Sequence, residues 1–115
     1  MFRGEIRWVD LDPALAGEAD KMRPAAIVSN DGANTTAARL GYGVVTVIPI
    51  TTNTDRIYPF QVLLPAADTG LDRDSKAQAE QVRAVSAERV RERIGSIPAP
   101  LMLEVNDALR LHLAL

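Results

Sequence analysis

The chain has 115 residues, of which 47% are hydrophobic, and it carries a formal net charge of −2 with a pI near 5.3. This length and composition predict a single globular domain over residues 1–115. The sequence contains no cysteine, which excludes disulfides, a thiol nucleophile and thiolate metal sites. The acidic balance argues against a broadly basic nucleic-acid-binding surface, and we expect no DNA binding by this chain alone.

Signals for membranes, metals and cofactors are also missing from the sequence. The apolar segments fall well short of the ~20 residues that a membrane helix needs, so we expect a cytoplasmic protein with no membrane partner. The carboxylates are scattered, and His112 is the only histidine, which excludes a two-histidine acid–base pair within one chain. We therefore expect neither a metal nor another cofactor.

The first predicted element is a half-buried strand at residues 5–10, where Ile6 and Trp8 share one face and are expected in the core. A polar loop of about a dozen residues follows, beginning with the turn sequence Asp12-Pro13. Loops of this length in small domains often carry function.

Two buried strands are predicted next. Residues 25–29 form a short apolar run, and Pro24 pushes Arg23 into extended geometry just ahead of it. Residues 43–50 are dense in β-branched side chains, which favour a strand that ends where polar residues begin. The sequence between these strands is rich in turn residues, with one helical turn expected near residues 36–40.

The middle of the chain contains one clear strand and one ambiguous segment. Residues 58–64 alternate in polarity, with Phe60, Val62 and Leu64 facing inward, and predict a strand. Residues 76–85 are rich in Ala, Lys, Gln, Glu and Arg, and by propensity alone they predict a helix.

A short helical turn at residues 86–90 and a strand at 91–97 precede a C-terminal helix that begins at Pro100. Its apolar residues lie on one stripe at helical spacing, namely Leu101, Met102, Val105, Ala108, Leu109 and Leu113. Leu103 and Leu111 fall outside that stripe, which leaves two explanations open: incidental surface residues or part of a subunit contact. The element order predicts a mainly β protein with minor α, a small antiparallel barrel-like sheet on which the last helix packs.

Arg23 and Thr51 are the candidates for chemistry, because each lies at one end of a buried strand beside a polar loop. A guanidinium presents a rigid fork that binds two phosphate oxygens, and a threonine hydroxyl can donate to a third. A surface arginine and a threonine that ends a strand explain the same pattern, so the residues alone leave this role open.

Other candidate residues have structural explanations that we favour. His112 lies in the stripe of the last helix and is expected to be packed or at its edge. Tyr42 and Tyr58 lie in loops, where a ring can stack on a base or cover the core. The basic residues of the C-terminal half alternate with acidic ones and predict a solvated mixed-charge face, formed by Arg83, Arg89, Arg91 and Arg93.

The ordered set of segments resembles the MazF/PemK family of ribonuclease toxins from bacterial toxin–antitoxin systems, over essentially the whole chain. Three stretches carry the resemblance most clearly: R-G-E-I-R-W-V-D-L-D-P at 3–13, G-E-A-D-K-M-R-P-A-A-I-V-S-N at 17–30 and V-I-P-I-T-T-N at 47–53. The resemblance implies an SH3-like barrel that forms a homodimer. It also implies that residues 76–85 are a strand, and we follow it there against helix propensity.

The resemblance also implies a function and a set of site residues. These enzymes cleave single-stranded RNA at short sequences without a metal, by attack of the ribose 2′-hydroxyl on the adjacent phosphate. Carried over by position, Arg23 and Thr51 are the catalytic pair. The implied substrate-binding residues are Glu18, Thr52, Ser75, Glu80 and Gln81. Glu18, on the polar loop, is also a candidate for the catalytic base.

The implied protein partner is a cognate antitoxin whose disordered tail folds on the toxin and competes with RNA. Two other functions stay open. One is a non-enzymatic inhibitor toxin on the same scaffold that binds DNA gyrase through its last helix. The other is a plain SH3-like interaction module, which needs an exposed aromatic groove. The chain has only five aromatic residues, and we expect several of them to be buried.

Overall fold

The computed structural model describes residues 1–11 and 21–115. Its strands are β1 (Glu5–Asp10), β2 (Met22–Ile27), β3 (Val44–Thr51), β4 (Gln61–Leu64), β5 (Ser75–Gln78), β6 (Arg83–Ser86) and β7 (Val90–Ser96). Its helices are α1 (Asp31–Leu40), α2 (Ala66–Thr69) and α3 (Ala99–Leu113), with 3-10 turns at Ala79–Gln81 and Ala87–Arg89. The predicted mainly β fold with a C-terminal helix is confirmed.

All strand pairs are antiparallel, and the order is β4-β5-β3-β2-β1-β7, with β6 also paired to β3. The eight-residue strand β3 organises this arrangement. It pairs with β2 along one side, with β6 from Val44 to Val47 along the other, and with β5 at Ile50 and Thr51. The end of β3 therefore lies between β2 and β5.

Both faces of the strands are covered, which explains why β2 and β3 read as nearly continuous apolar runs. Neighbouring residues of a strand point to opposite faces, yet Ala25, Ala26 and Ile27 are all fully buried. Ala26 belongs to the core that includes Val105 of α3, whereas Ala25 and Ile27 belong to the core that includes Ala37 of α1.

The predicted apolar stripe of α3 is confirmed except at its last member. Val105 and Ala108 are buried, and the remaining stripe residues pack against the same core, namely Leu101, Met102 and Leu109. The prediction that Leu113 packs on the core is wrong, because this residue lies in the final turn of the helix and is 49% exposed. Leu103 and Leu111 are exposed, as their position off the stripe predicts.

Helix α1 has ten residues, whereas only one turn, near residues 36–40, is predicted from the sequence. Its termini carry the usual capping signals. The Asn30 side chain accepts a hydrogen bond from the Ala33 amide at 2.8 Å, and Gly41 ends the helix with a φ of 72°. Asn30 and Gly41 are therefore the sequence signals that mark the two ends of the longer helix.

The segment 76–85 is not the helix that propensity predicts. It contributes to β5, the 3-10 turn Ala79–Gln81 and β6, so the strand reading implied by the resemblance is confirmed for most of it. Burial explains the outcome, because Ala77 and Ala79 are each 1% exposed in the core covered by α3. Pairing to β3 and β4 satisfies the backbone of β5.

Strand β2 begins at Met22, so Arg23 and Pro24 lie inside the strand and not ahead of it. Arg23 pairs with Val9 of β1, and Pro24 pairs with Trp8. The register between β2 and β3 covers Ala25 to Ile27, so Pro24 lies beyond those pairs, where its missing N–H does not interrupt them.

Candidate active site

The strand registers place Arg23 and Thr51 on neighbouring strands at the same level of the sheet. Strand β2 pairs with β3 at Ala25–Pro49, and continuing that antiparallel register by two residues brings Arg23 opposite Thr51. On the other side of β3, Thr51 pairs with Lys76. The recorded β2–β3 pairs end at Ala25–Pro49, and the same register continued beyond them gives Arg23 and Thr51 as opposed positions, which share a face in an antiparallel pair.

Both side chains are partly exposed, and the hydroxyl of Thr51 can still act as a donor. Its Oγ1 accepts a hydrogen bond from the Asn53 amide at 3.3 Å. A hydroxyl oxygen that accepts one bond keeps its hydrogen for an oxygen of another molecule. Arg23 supplies a cationic guanidinium, so this pair offers a positive charge and a neutral hydroxyl donor.

A cleft of about 470 Å³ contains two predicted substrate-binding residues, Thr52 and Ser75. Arg73 and Arg93 also line it. The cleft does not enclose the catalytic pair itself. Its lining includes Pro24, which follows Arg23 in β2, and because strand residues alternate between faces, the cleft lies on the opposite face of the sheet from Arg23.

The predicted core position of Trp8 is wrong. The side chain is 38% exposed and lines this cleft, whereas Ile6 on the same face is fully buried. Strand alternation correctly gave the shared face, but the cover of that face ends between the two residues. The indole therefore lies at the rim of the cleft and not in the core.

Glu80 and Gln81 lie in the 3-10 turn that joins β5 to β6. Glu80 Oε2 accepts a hydrogen bond from Gln61 Nε2 at 2.6 Å. The other carboxylate oxygen, Oε1, is buried and has no hydrogen-bond partner within residues 1–11 and 21–115. A buried carboxylate oxygen without a donor is costly, and a ligand hydroxyl would supply one.

The basic residues divide into two pairs, which corrects the prediction of one solvated face. Arg91 and Arg93 are exposed as predicted, but Arg83 and Arg89 are partly buried. Arg83 donates a hydrogen bond to the Leu11 carbonyl at 3.3 Å, and Arg89 donates one to the Asp10 carbonyl at 3.3 Å. These two arginines hold the end of β1, at the last described residues before position 12.

The carboxylate of Glu5 holds Arg93, one of the two arginines that line the cleft. Glu5 contacts Arg93 at 3.2 Å and Arg7 at 3.3 Å, and it accepts a hydrogen bond from the Phe2 amide at 2.8 Å. Burial raises the pKa of Glu5. The hydrogen bond from the Phe2 amide and the positive charges of Arg7 and the N-terminus lower it by more than burial raises it, so the pKa lies below the usual 4.5. Glu5 is therefore an anion that orients Arg93.

The expectation that several aromatic residues are buried is wrong. The exposed fractions are 59% for Phe2, 38% for Trp8, 62% for Tyr42 and 41% for Tyr58. Phe60 is only partly buried and stacks on Tyr58, with ring centroids 5.3 Å apart. A shortage of exposed rings is thus no argument against an interaction module.

The predicted loop residue Glu18 lies outside the described residues. Within the described ranges, no group of three or more His, Cys, Asp or Glu side chains is placed to hold a metal ion. His112, expected to be packed or at the edge of the stripe, is exposed near the end of α3. The same residues include no helix long and apolar enough to cross a membrane.

Comparisons with known sequences point to one family. A sequence profile of PemK-like, MazF-like toxins of type II toxin–antitoxin systems matches residues 2–113. The endoribonuclease MazF9 of Mycobacterium tuberculosis is 56% identical over 115 residues, which cover 100% of this chain and 98% of that protein. The endoribonuclease MazF6 of the same species is 37% identical over 109 residues, covering 94% of this chain and 92% of that protein.

Solved structures agree on the fold. MazF from Deinococcus radiodurans superposes with a TM-score of 0.81 at 25% identity, covering 100% of this chain and 97% of that chain. An endoribonuclease from a mycobacterial species, solved with its cognate antitoxin, superposes with a TM-score of 0.79 at 23% identity, covering 100% of this chain and 96% of that chain.

Proposed function

The chain belongs to the PemK-like, MazF-like toxins of type II toxin–antitoxin systems, and from this premise we propose that it is an endoribonuclease toxin whose catalytic pair is Arg23 and Thr51. Its substrate is single-stranded RNA, which it cleaves at short recurrent sequences without a metal. The endoribonuclease activity is supported by curated relatives named for it, one of them 56% identical over the whole chain.

The proposed reaction uses a nucleophile that the substrate carries. The ribose O2′ attacks the phosphorus of the adjacent 3′-phosphate, and the bond from phosphorus to O5′ breaks. One proton moves from O2′ to O5′, so the products are a 2′,3′-cyclic phosphate and a 5′-hydroxyl. The protein supplies positioning and charge stabilisation. Arg23 stabilises the charge that develops on the phosphate oxygens, and Thr51 holds one of them.

The observation that carries the residue assignment is the register between β2 and β3. Continued two residues past its last recorded pair, Ala25–Pro49, this register supports a permanent cation and a hydroxyl donor at the same level of neighbouring strands, at the end of β3. Two donors arranged in this way suit a phosphodiester, because its oxygens accept hydrogen bonds and develop charge during attack.

The remaining site residues are proposed to bind the RNA on either side of the cut. Thr52 and Ser75 line the cleft, where Arg73 and Arg93 supply positive charge. Glu80 presents a buried oxygen that suits a substrate hydroxyl, and Gln81 follows it in the same turn. Glu18, which precedes β2 in the sequence, is the proposed base for the O2′ proton.

The proposed setting is the bacterial cytoplasm, where the toxin acts as a homodimer. Its partner is a cognate antitoxin, as the type II family description supports. We propose that a disordered tail of the antitoxin folds onto the toxin and covers the RNA-binding surface. Size-exclusion chromatography with light scattering tests the homodimer directly.

The central experiment compares the parent chain with Arg23→Ala on a long single-stranded RNA in excess chelator. We expect the parent to cut at a short recurrent sequence and to leave 2′,3′-cyclic phosphate ends. Loss of the phosphate clamp should lower kcat/KM by roughly 10²–10³-fold. Thr51→Val should lower it by a smaller factor, whereas Thr51→Ser should keep most of the activity because it keeps the hydroxyl.

The matched control is Arg39→Ala, which removes an exposed arginine from the last turn of α1 with the same change of charge. It should cleave as the parent does. Equal cleavage by the parent and a folded Arg23→Ala would remove Arg23 from the catalytic pair. A parent that cuts no RNA but inhibits a topoisomerase, with the inhibition lost on changes to α3, would instead establish the gyrase-binding alternative.

A further inference from the structure

Lys76 of β5 is a buried lysine, with only 7% of its surface exposed. Lysine is rarely buried to this degree unless its ammonium group is held by partners. Within residues 1–11 and 21–115, that group makes no salt bridge. Neutral groups must therefore stabilise the buried ammonium group.

Both neutral partners of the ammonium group come from the segment that connects β3 to β4. Lys76 Nζ donates a hydrogen bond to the Arg56 carbonyl at 2.7 Å and lies 5.9 Å from the centroid of the Tyr58 ring. A carbonyl oxygen and an aromatic face both attract a cation, and the attraction is stronger away from water. Lys76 thus attaches residues 53–60, here called the β3–β4 segment, to β5.

The β3–β4 segment is also held at its far end. Tyr58 stacks on Phe60 with an interplanar angle of 2°, and the Arg56 guanidinium lies 5.3 Å from the Tyr58 ring centroid. Gln61 Oε1 accepts a hydrogen bond from the Tyr58 amide at 3.2 Å, while Gln61 Nε2 donates to Glu80. The exposed side chains of Arg56 and Tyr58 therefore have a fixed backbone beneath them.

Lys76 also lies directly beside the proposed catalytic pair. It is the register partner of Thr51 on β3 and of Leu63 on β4, so these three residues share one face. The β3–β4 segment begins two residues after Thr51, and its residues Arg56 and Tyr58 contact the Lys76 ammonium group. A shift of the segment would change what lies next to a phosphate held at Thr51.

From these contacts we infer that Lys76 is a positioning residue: it fixes the β3–β4 segment beside Thr51, and this placement determines which RNA base is accepted next to the cut. The inference rests on the proposed ribonuclease function. The exposed Arg56 and Tyr58 side chains are the groups that the segment presents to that base, through stacking and charge.

The test uses Lys76→Met, which keeps the length and most of the volume of the stem but removes the ammonium group. The preferred RNA site is first mapped with the parent, and kcat/KM is then compared between that site and the same site with one base replaced. We expect Lys76→Met to reduce this discrimination roughly tenfold, because a small misplacement of a contacting segment is costly. Lys76→Arg should recover part of it.

Arg39→Met is the matched control, since it makes the same charge change at an exposed position on α1. It should discriminate as the parent does. A folded Lys76→Met with the parent's discrimination would overturn the inference, whereas a parent without cleavage would overturn the proposed function instead. A merely structural role would lower stability and leave the discrimination ratio unchanged.

A second measurement needs no RNA and separates the two proposals further. Amide hydrogen exchange in the free protein should become faster across residues 53–60 in Lys76→Met, relative to amides of β1. If that variant fails to fold, Tyr58→Leu tests the same attachment from a side chain that is 41% exposed. Unchanged exchange over residues 53–60 in a folded variant would overturn the positioning role.

Discussion

At the scale of single residues, Glu5 gathers several positive groups around one carboxylate, namely Arg7, Arg93 and the N-terminus. Its lowered pKa means that the folded chain takes up the proton less readily than the unfolded chain. The stability that the carboxylate contributes is therefore fully present above the unfolded pKa near 4.5 and is lost as pH falls through the lower folded pKa.

Glu5→Gln should accordingly reduce the free energy of unfolding by about 1 kcal/mol at neutral pH, because the amide keeps the shape but loses the charge. The difference between parent and variant should shrink as the pH is lowered below 4.5. Urea unfolding at a series of pH values measures both quantities.

Glu104→Gln supplies the control for Glu5, since Glu104 is exposed on α3. It should change stability little at any of these pH values. A Glu5→Gln deficit that is as large in acid as at neutral pH would contradict the ionic explanation.

Residue types alone indicated Arg23 and Thr51 as candidates but left their role open. The burial of Lys76 is a feature that residue types do not predict at all. A lysine between Ser75 and Ala77 in a polar stretch reads as a solvated side chain. Its burial depends on the segment that folds over it from 20 positions upstream. The sequence carries no local signal for that contact.

At the scale of elements, local patterns predict β1 and β3, whereas contacts between strands decide the structure of residues 76–85. The strand β1 follows from alternation, and β3 follows from its dense β-branched residues. Residues 76–85 have helical propensity, but pairing of β5 to two strands and burial of its alanines outweigh a preference worth tenths of a kcal/mol per residue.

The packing of β7 against α2 depends on a glycine with no room for a side chain. A Cβ on Gly95 would lie 1.9 Å from the Thr69 carbonyl oxygen and 3.2 Å from Gly70 Cα. Both neighbours are backbone atoms, so relief requires a shift of the α2 end. Gly95→Ala should lower the free energy of unfolding by about 3 kcal/mol or more, as measured in urea.

Gly32→Ala is the comparison for Gly95, because it adds the same methyl group inside α1. The added Cβ would have one near neighbour, the Asn30 Oδ1 at 3.2 Å, and alanine favours the helix. Its stability should stay within about 1 kcal/mol of the parent. Equal losses in the two variants would show that the approach of α2 to β7 is not the cause.

At the scale of the whole molecule, the acidic chain keeps positive charge where the proposed RNA site needs it. Arg73 and Arg93 line the cleft beside Thr52, and Glu5 orients one of them. Few phosphates would be neutralised by so local a patch, so non-specific RNA binding should be weak and only moderately dependent on salt. The net charge of −2 is therefore a poor predictor of RNA binding, because it sums the charges over the whole chain and hides a local positive patch.

The helix α3 completes the molecule by covering the core that contains Ile6, Ile48 and Leu64. Val105 is its fully buried side chain at that contact, whereas Leu103 is 65% exposed two positions earlier. Val105→Ala leaves a cavity between the helix and the sheet and should cost about 2 kcal/mol of unfolding free energy. Leu103→Ala removes more carbon but buries nothing, so it should stay within about 0.5 kcal/mol of the parent.

Urea unfolding at one fixed protein concentration measures this pair of variants, because association of subunits would make the midpoint depend on concentration. The slope of the unfolding free energy against urea should be the same for both variants and the parent, and only the midpoint of Val105→Ala should fall. A larger loss from Leu103→Ala than from Val105→Ala, increasing as the protein is diluted, would place Leu103 in a subunit contact and limit the contribution of the helix to the core of one chain.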